Sequence, residues 1–292
     1  MINWHKFSDK RIAIVGFGYI GKHLHSTLIK KSEGLNFSVS IYTRSNMKSI
    51  IGETFDYVFN CAGNTGNFRV QILETIDSNL SLHIFLLQNV NIIDTFITIS
   101  STRIYGFSED DKIISIEGDI ISENESHLDV NYIYDGAKKL MESMLINYSK
   151  VNSSFKIIIC RFSNVFGSFE LNDLDGSTYL KFLIKSSISK GHITLNQNQN
   201  STKGYIHVND AIDGLLRSAL NSLESDIFNI CSGASYSIKD WLDFLDISYL
   251  IPPTKIKATY SKNSIEKAKK TLNFKPKYFL ENLNLNQIIK IA

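Results

Sequence analysis

Three short stretches of this 292-residue chain carry side chains whose types and spacing could do chemistry. Gly16, Gly18 and Gly21 follow the apolar run 12–15 in the spacing G-x-G-x-x-G. After a buried strand this spacing makes a turn into a helix. Gly16 permits the tight turn, Gly18 lets the backbone approach a pyrophosphate, and Gly21 lets the helix pack close to the strand. The N–H groups of the first helical turn, with Tyr19 and Ile20, would then hold the phosphates of a dinucleotide. The second stretch, Ser100-Ser101-Thr102-Arg103-Ile104-Tyr105-Gly106, follows an apolar strand and lies at its carboxyl end, the edge where open α/β sheets bind ligands. The third is Tyr134 and Lys138, four apart on a predicted helix, so that both side chains face the same way. Taken singly, the glycines fit a turn with no ligand and the Tyr134/Lys138 spacing fits a surface pair. Together they point to dinucleotide chemistry.

The elements that must position these residues are legible from periodicity. Leu24, Leu28 and Ile29 mark an amphipathic helix over 22–30 that ends near Gly34, and 37–42 alternates as a second strand. The tip of that strand is where a dinucleotide fold reads the adenine ribose. An acidic residue there bonds both hydroxyls of NAD, and an arginine accommodates the 2′-phosphate of NADP. This chain has Thr43-Arg44-Ser45 and no Asp or Glu, which favours NADP(H) with Arg44 as the phosphate contact, NAD(H) being the alternative. The alternative is that Arg44 is a solvated surface residue. A third strand over 55–60 leads to Cys61-Ala62-Gly63, small residues that would let the chain pass close to the cofactor. Helical spacing runs from 68 to 88, a strand over 94–99 delivers Ser100 and Ser101, and a polar loop spans 107–129. A strand over 156–160 ends in Arg161-Phe162-Ser163-Asn164. A helix over 180–188, a short strand over 193–195, a polar loop over 196–202, a capped helix start at Ser237, a helix near 264–272 and a closing segment 283–291 follow.

Composition narrows the function classes. A net charge of +2 without a basic block or aromatic-basic interleaving argues against a nucleic-acid partner. The apolar stretch 84–99 is broken by Gln88, Asn89, Asn91 and Asp94, too short and polar to span a bilayer. Residues 1–10 lack the apolar core of a secretory signal, which predicts a cytoplasmic protein with no membrane partner. Cys61, Cys160 and Cys231 end apolar runs and read as buried small hydrophobes, a redox thiol being the alternative. The histidines show no metal-ligand spacing, so no metal site is expected.

The sequence resembles an extended short-chain dehydrogenase/reductase of the NAD(P)-dependent nucleotide-sugar epimerase/dehydratase family. The likeness rests on the glycine loop, Ser100-Ser101-x-x-x-Tyr105-Gly106, Tyr134-x-x-x-Lys138, Arg161-Phe162-x-Asn164-Val165-Phe166-Gly167, Gly204-Tyr205-Ile206-His207-Val208-Asn209-Asp210, Phe228-Asn229-Ile230-Cys231-Ser232-Gly233 and Leu272-Asn273-Phe274-Lys275-Pro276-Lys277, all in one order. One departure is Val15, which stands where the family usually has its first glycine. The resemblance implies an α/β fold: a Rossmann-type doubly wound parallel sheet with a smaller C-terminal substrate-binding part. It places the NAD(P)-binding domain with the catalytic residues at 1–167 and the mainly substrate-binding part at 168–292, with segments near 204–232 returning to the core.

The resemblance also implies roles. Tyr134 would be the general acid, Lys138 its partner and a cofactor contact, and Ser101 the hydroxyl that bonds the sugar oxygen. Gly16, Gly18, Tyr19, Ile20, Gly21, Arg44, Cys61, Ala62, Gly63 and Ser100 would line the cofactor, and Ser101, Thr102, Arg103 and Asn164 the nucleotide-sugar substrate. His207 is expected behind the catalytic residues as a structural histidine. A tyrosine phenol near 10 must come down by roughly 3 units to exchange protons near neutrality, about 4 kcal/mol, and Lys138 with the oxidised nicotinamide is expected to supply much of it. Family dehydratases carry an Asp-Glu pair directly after the residue matching Ser101, and the two-function epimerase-reductases a Cys at the position of Arg103. This chain has Thr102 and Arg103 there. What remains is hydride chemistry at a ring carbon. NADPH-dependent reduction of a nucleotide-linked 4-keto-(6-deoxy)sugar for surface polysaccharide precursors is expected. An NAD-dependent C4 epimerase and a non-catalytic dinucleotide-binding regulatory protein are the alternatives. Arg103 would contact the sugar or diphosphate, or else face outward from its loop. A homodimer is expected from the family.

Overall fold

Ile12 and Ile14 are buried against one layer of helices and Ala13 and Val15 against another, so strand β1 (Arg11–Val15) is covered on both faces. That is the environment in which parallel strands form, because their crossover helices fill both sides of the sheet. The computed structural model describes residues 2–32, 34–64, 68, 70–119, 131–167, 169–170, 179–190, 192–251 and 256–290. The chain runs from β1 into helix α1 (Tyr19–Ser32), then β2 (Ser38–Tyr42) and β3 (Thr54–Asn60). Helix α2 (Ile72–Ile76) passes through a π-turn (Asp77–Ser81) into α3 (Leu82–Asn89), so the helical spacing over 68–88 is interrupted where the coil widens. Strand β4 (Asn91–Ser101) ends in a 3-10 turn (Thr102–Tyr105), and α4 (Asn131–Val151) and β5 (Lys156–Phe162) follow. Residues 120–129 of the expected polar loop lie outside the described residues.

The second half contributes β6 (Asn164–Phe166), β7 (Phe169–Glu170), α5 (Tyr179–Lys190), β8 (His192–Thr194), β9 (Thr202–His207), α6 (Val208–Asn221), β10 (Asp226–Ile230), β11 (Ser235–Ser237), α7 (Ile238–Phe244), β12 (Ser248–Leu250), α8 (Glu266–Leu272), α9 (Leu285–Ile288) and β13 (Ile289–Lys290). The main sheet is six parallel strands in the order β10-β5-β4-β3-β1-β2. The chain leaves β1 to one side and returns past it to β3, so the order reverses beside the glycine loop, the switch point where such sheets bind ligands. This is the Rossmann-type α/β fold.

Helices α1, α6 and α8 cover one face of the sheet, and α3 and α4 the other. A third apolar cluster lies outside the sheet, formed by Phe166, Phe169, Leu180, Leu183, Ile193, Tyr205, Tyr236 and Trp241. Of the segment around 204–232, α6 and β10 rejoin the six-stranded core, whereas β9 pairs with β6 and β11 in a separate small sheet. Ser237 caps α7 as its sequence suggests: its hydroxyl accepts from Asp240 N at 3.0 Å and its own N–H donates to the Asp240 carboxylate at 2.7 Å. Among the described residues no helix is long and apolar enough to cross a membrane, and no cluster of three metal-ligating side chains occurs.

Candidate active site

The glycine loop is built as its spacing demands. Gly16 has a φ of +89°, and a Cβ there would lie 2.6 Å from the backbone of Ala62. Two bonds fix the loop between its neighbours: Gly16 N donates to Tyr42 O and Cys61 N to Val15 O, both at 2.8 Å. A Cβ on Gly21 would strike Gly16 O at 2.1 Å, which is why the helix can start so close to β1. A Cβ on Gly18 would meet nothing within 4 Å, so the backbone there borders open space beside the first turn of α1. That space, next to free helical N–H groups, fits a dinucleotide pyrophosphate. Val15 in place of glycine is accommodated as an interior strand residue. Tyr19 turns its ring onto Phe169 and its hydroxyl onto Gly167 O, so this side chain ties α1 to the second half of the chain. Arg44 is exposed beyond the tip of β2, while Thr43 and Asn46 bond each other there.

Strand β4 and helix α4 bring the expected catalytic residues together. Ser101 is the last residue of β4; its Oγ accepts from Arg103 N at 3.2 Å, and its hydroxyl acts on the Tyr134 phenol to lower it. Lys138, buried one turn after Tyr134, donates from Nζ to Ile99 O at 2.6 Å, and this nitrogen is 3.9 Å from where a Gly63 Cβ would stand. Gly63 thus sits against helix α4 at Lys138. Ser100 Oγ is buried with no hydrogen-bond partner among the described residues. Thr102 is buried, and Asn164 is exposed with its Nδ2 donating to Gly204 O at 2.9 Å.

The electrostatics differ from the expected simple pairing. Burial pushes the Tyr134 phenol up to about 12; the Arg103 guanidinium and the Ser101 hydrogen bond pull against it, and the Asp135 carboxylate adds to it. The Lys138 ammonium donates to Ile99 O and sits 6.0 Å from the Tyr134 ring centre. Burial lowers Lys138 itself to about 8, with the Glu142 carboxylate opposing that shift.

Sequence reasoning missed the residues that support this site. Arg103 does not point outward: Nε and Nη2 donate to the two Asp135 oxygens at 3.0 and 2.9 Å, and Asp135 is buried. Behind Lys138, the buried pair Glu142–Arg161 closes at 2.6 Å. Arg161 also donates to Tyr105 Oη at 2.5 Å, and Tyr105 in turn to Asn229 Oδ1 at 2.8 Å. Glu117 accepts from Asn229 N at 2.8 Å, so the 3-10 turn after β4, α4, β5 and β10 share one polar network. Glu142, four residues after Lys138, is the one member that helical spacing could have flagged. His83, also unremarked, is fully buried between Asn60 and Thr98 and is held neutral by burial and the Lys138 charge, at about 3. His207 caps α6 by accepting from Asn209 N and stacks on Tyr278 with ring centres 4.1 Å apart, a structural setting.

The six-stranded parallel sheet and the glycine loop at its switch point define an α/β protein of the Rossmann dinucleotide-binding type. The model of the NAD dependent epimerase/dehydratase family matches residues 12–231, so the chain belongs to that family. UDP-glucuronic acid decarboxylase 5 of Arabidopsis thaliana is 22% identical over 302 residues, 92% of this chain and 86% of the plant protein. Among solved structures, UDP-glucuronic acid 4-epimerase from Bacillus cereus, in complex with UDP-glucuronic acid and NAD, superposes with a TM-score of 0.72 at 18% identity, covering 93% of this chain and 96% of that one. RMD from Pseudomonas aeruginosa, complexed with NADPH, superposes with a TM-score of 0.71 at 18% identity over 93% and 95% of the two chains. Relatives of this fold therefore hold either form of the nicotinamide dinucleotide.

Proposed function

We propose that this chain reduces the keto group of a nucleotide-linked 4-keto-(6-deoxy)sugar with NADPH, in the cytoplasm, for surface polysaccharide precursors. The observation that carries this reading is a buried, protonated Tyr134 on the helix that faces the Ser101 end of β4, with Arg103 locked to Asp135 where water elimination would need an acid and a base. Ketone reduction first requires a proton donor at the carbonyl oxygen, and a phenol pushed to about 12 is fully protonated at neutral pH. Ser101 orients that oxygen, and Tyr134 delivers its proton as the alkoxide develops. Asn164 meets the substrate near its diphosphate. Gly16, Gly18, Tyr19, Ile20 and Gly21 hold the pyrophosphate, Cys61, Ala62 and Gly63 let the nicotinamide half approach Lys138 and Ser100, and Arg44 meets the 2′-phosphate. The bound nicotinamide supplies the hydride.

The test is titration of the purified chain with NADPH and with NADH, followed by assay of 4-keto nucleotide sugars. Preference for exchangeable NADPH and ketone-dependent oxidation of it support the proposal. Tightly retained NAD with C4 epimerisation would replace it, and binding of neither cofactor would favour a non-catalytic module.

A further inference from the structure

Arg103 and Asp135 are 32 residues apart, and the tertiary fold brings them together beside Tyr134. Arg103 follows the end of β4, and Asp135 is the next residue after Tyr134 on α4. Both Asp135 oxygens are taken by one guanidinium, the two-point geometry that fixes direction as well as distance. The guanidinium carbon lies 5.9 Å from the Tyr134 ring centre and 5.6 Å from that of Phe68, which itself packs on Tyr134 at 5.3 Å. Through its own backbone N–H, Arg103 also holds Ser101 Oγ. One residue therefore touches the partner hydroxyl, the flanking ring and the neighbouring carboxylate of the tyrosine.

We propose that the Arg103–Asp135 pair is a positioning device for Tyr134: it clamps the end of β4 to α4 so that Ser101 and Tyr134 stay in register, and it sets opposed charges beside the phenol. The proposal rests on the reading of Tyr134 as the proton donor. The groups that act on this phenol are Arg103 and Ser101 from the β4 end and Asp135 on its own helix; Lys138, one turn on, faces it with its ammonium held on Ile99 O. Removing the carboxylate charge leaves the cation unopposed and lowers the phenol; removing the cation raises it. A bond that merely stabilised the fold would not move the tyrosine in opposite directions from its two ends.

The experiment uses the full chain, free of substrate, with 3,5-difluorotyrosine at position 134 so that the more acidic phenol titrates in an accessible range and reports by its fluorine resonance. Asp135→Asn should lower the midpoint and Arg103→Gln should raise it by about one pH unit, the size expected for a partly exposed guanidinium about 6 Å from the ring. If Arg103→Gln fails to fold with Asp135 stranded, the double variant Arg103→Gln/Asp135→Asn takes its place. Its midpoint should lie above that of Asp135→Asn by the guanidinium's contribution. Shifts of the same sign, or a double variant that titrates with Asp135→Asn, would overturn the proposal. Because no substrate is present, the expected shifts without ketone reduction would refute the proposed reaction alone. Reduction without the shifts would refute the positioning role alone.

Discussion

Replacing Lys138 by methionine should make the stability of this protein depend on pH differently from that of the native chain. Lys138 is buried, and burial brings its ammonium from 10.5 in the unfolded chain to about 8 in the folded one. Below pH 8 both states carry the proton, and the folded state bears the whole cost of burying the charge, about 3 kcal/mol at 1.4 kcal/mol per pH unit. Between pH 8 and 10.5 the folded lysine is neutral while the unfolded one still binds a proton, so native stability rises with pH through this window. Near pH 9.5 the gain is about 2 kcal/mol. The variant lacks this term, and other titrating groups cancel to first order when the two proteins are compared. Urea unfolding followed by circular dichroism at about pH 7.5 and about pH 9.5 gives the difference directly. The native chain should gain about 2 kcal/mol on Lys138→Met across this interval. A difference that stays flat, or moves against the native chain, would refute the claim that Lys138 is held charged at neutral pH at the expense of stability.

Gly18→Ala should leave the unfolding midpoint unchanged, since its Cβ enters open space, yet weaken dinucleotide binding at least tenfold by calorimetry. Gly16→Ala should destabilise the chain itself, because its φ is +89° and its Cβ would sit on Ala62. Glu142→Gln should cost about 3–5 kcal/mol in chemical denaturation by stranding the buried Arg161 guanidinium; the pair exchanged together for methionine should recover much of it. Arg44→Ala should raise the Kd for NADPH about tenfold and leave that for NADH unchanged, as one charge-assisted phosphate contact predicts. Equal effects on both cofactors would remove Arg44 from the 2′-phosphate.

Much of the architecture was legible in local pattern. The glycine spacing, the apolar runs of β1, β3 and β5, and the i,i+4 relation of Tyr134 and Lys138 involve residues only a few positions apart, whose geometry a strand or helix settles by itself. The first half of α4 and the capping of α7 were readable for the same reason. The interruption of the 68–88 helix was not, because the π-turn at Asp77–Ser81 has the helical apolar spacing on both sides of it.

The sequence by itself therefore determined the class of fold, the glycine loop and the identity of Ser101, Tyr134 and Lys138 as neighbours at one sheet edge. Only the tertiary structure decided what surrounds them. Arg103 meets Asp135 across 32 positions, Arg161 meets Glu142 across 19, and Tyr105 meets Asn229 across 124. Those partners depend on which strands lie side by side and which helix face is buried, and no spacing rule encodes either. The direction of the Tyr134 shift is decided at the same level. A phenol answers to the sum of its burial and of the charges brought to it, and both are set when β4 and α4 pack together.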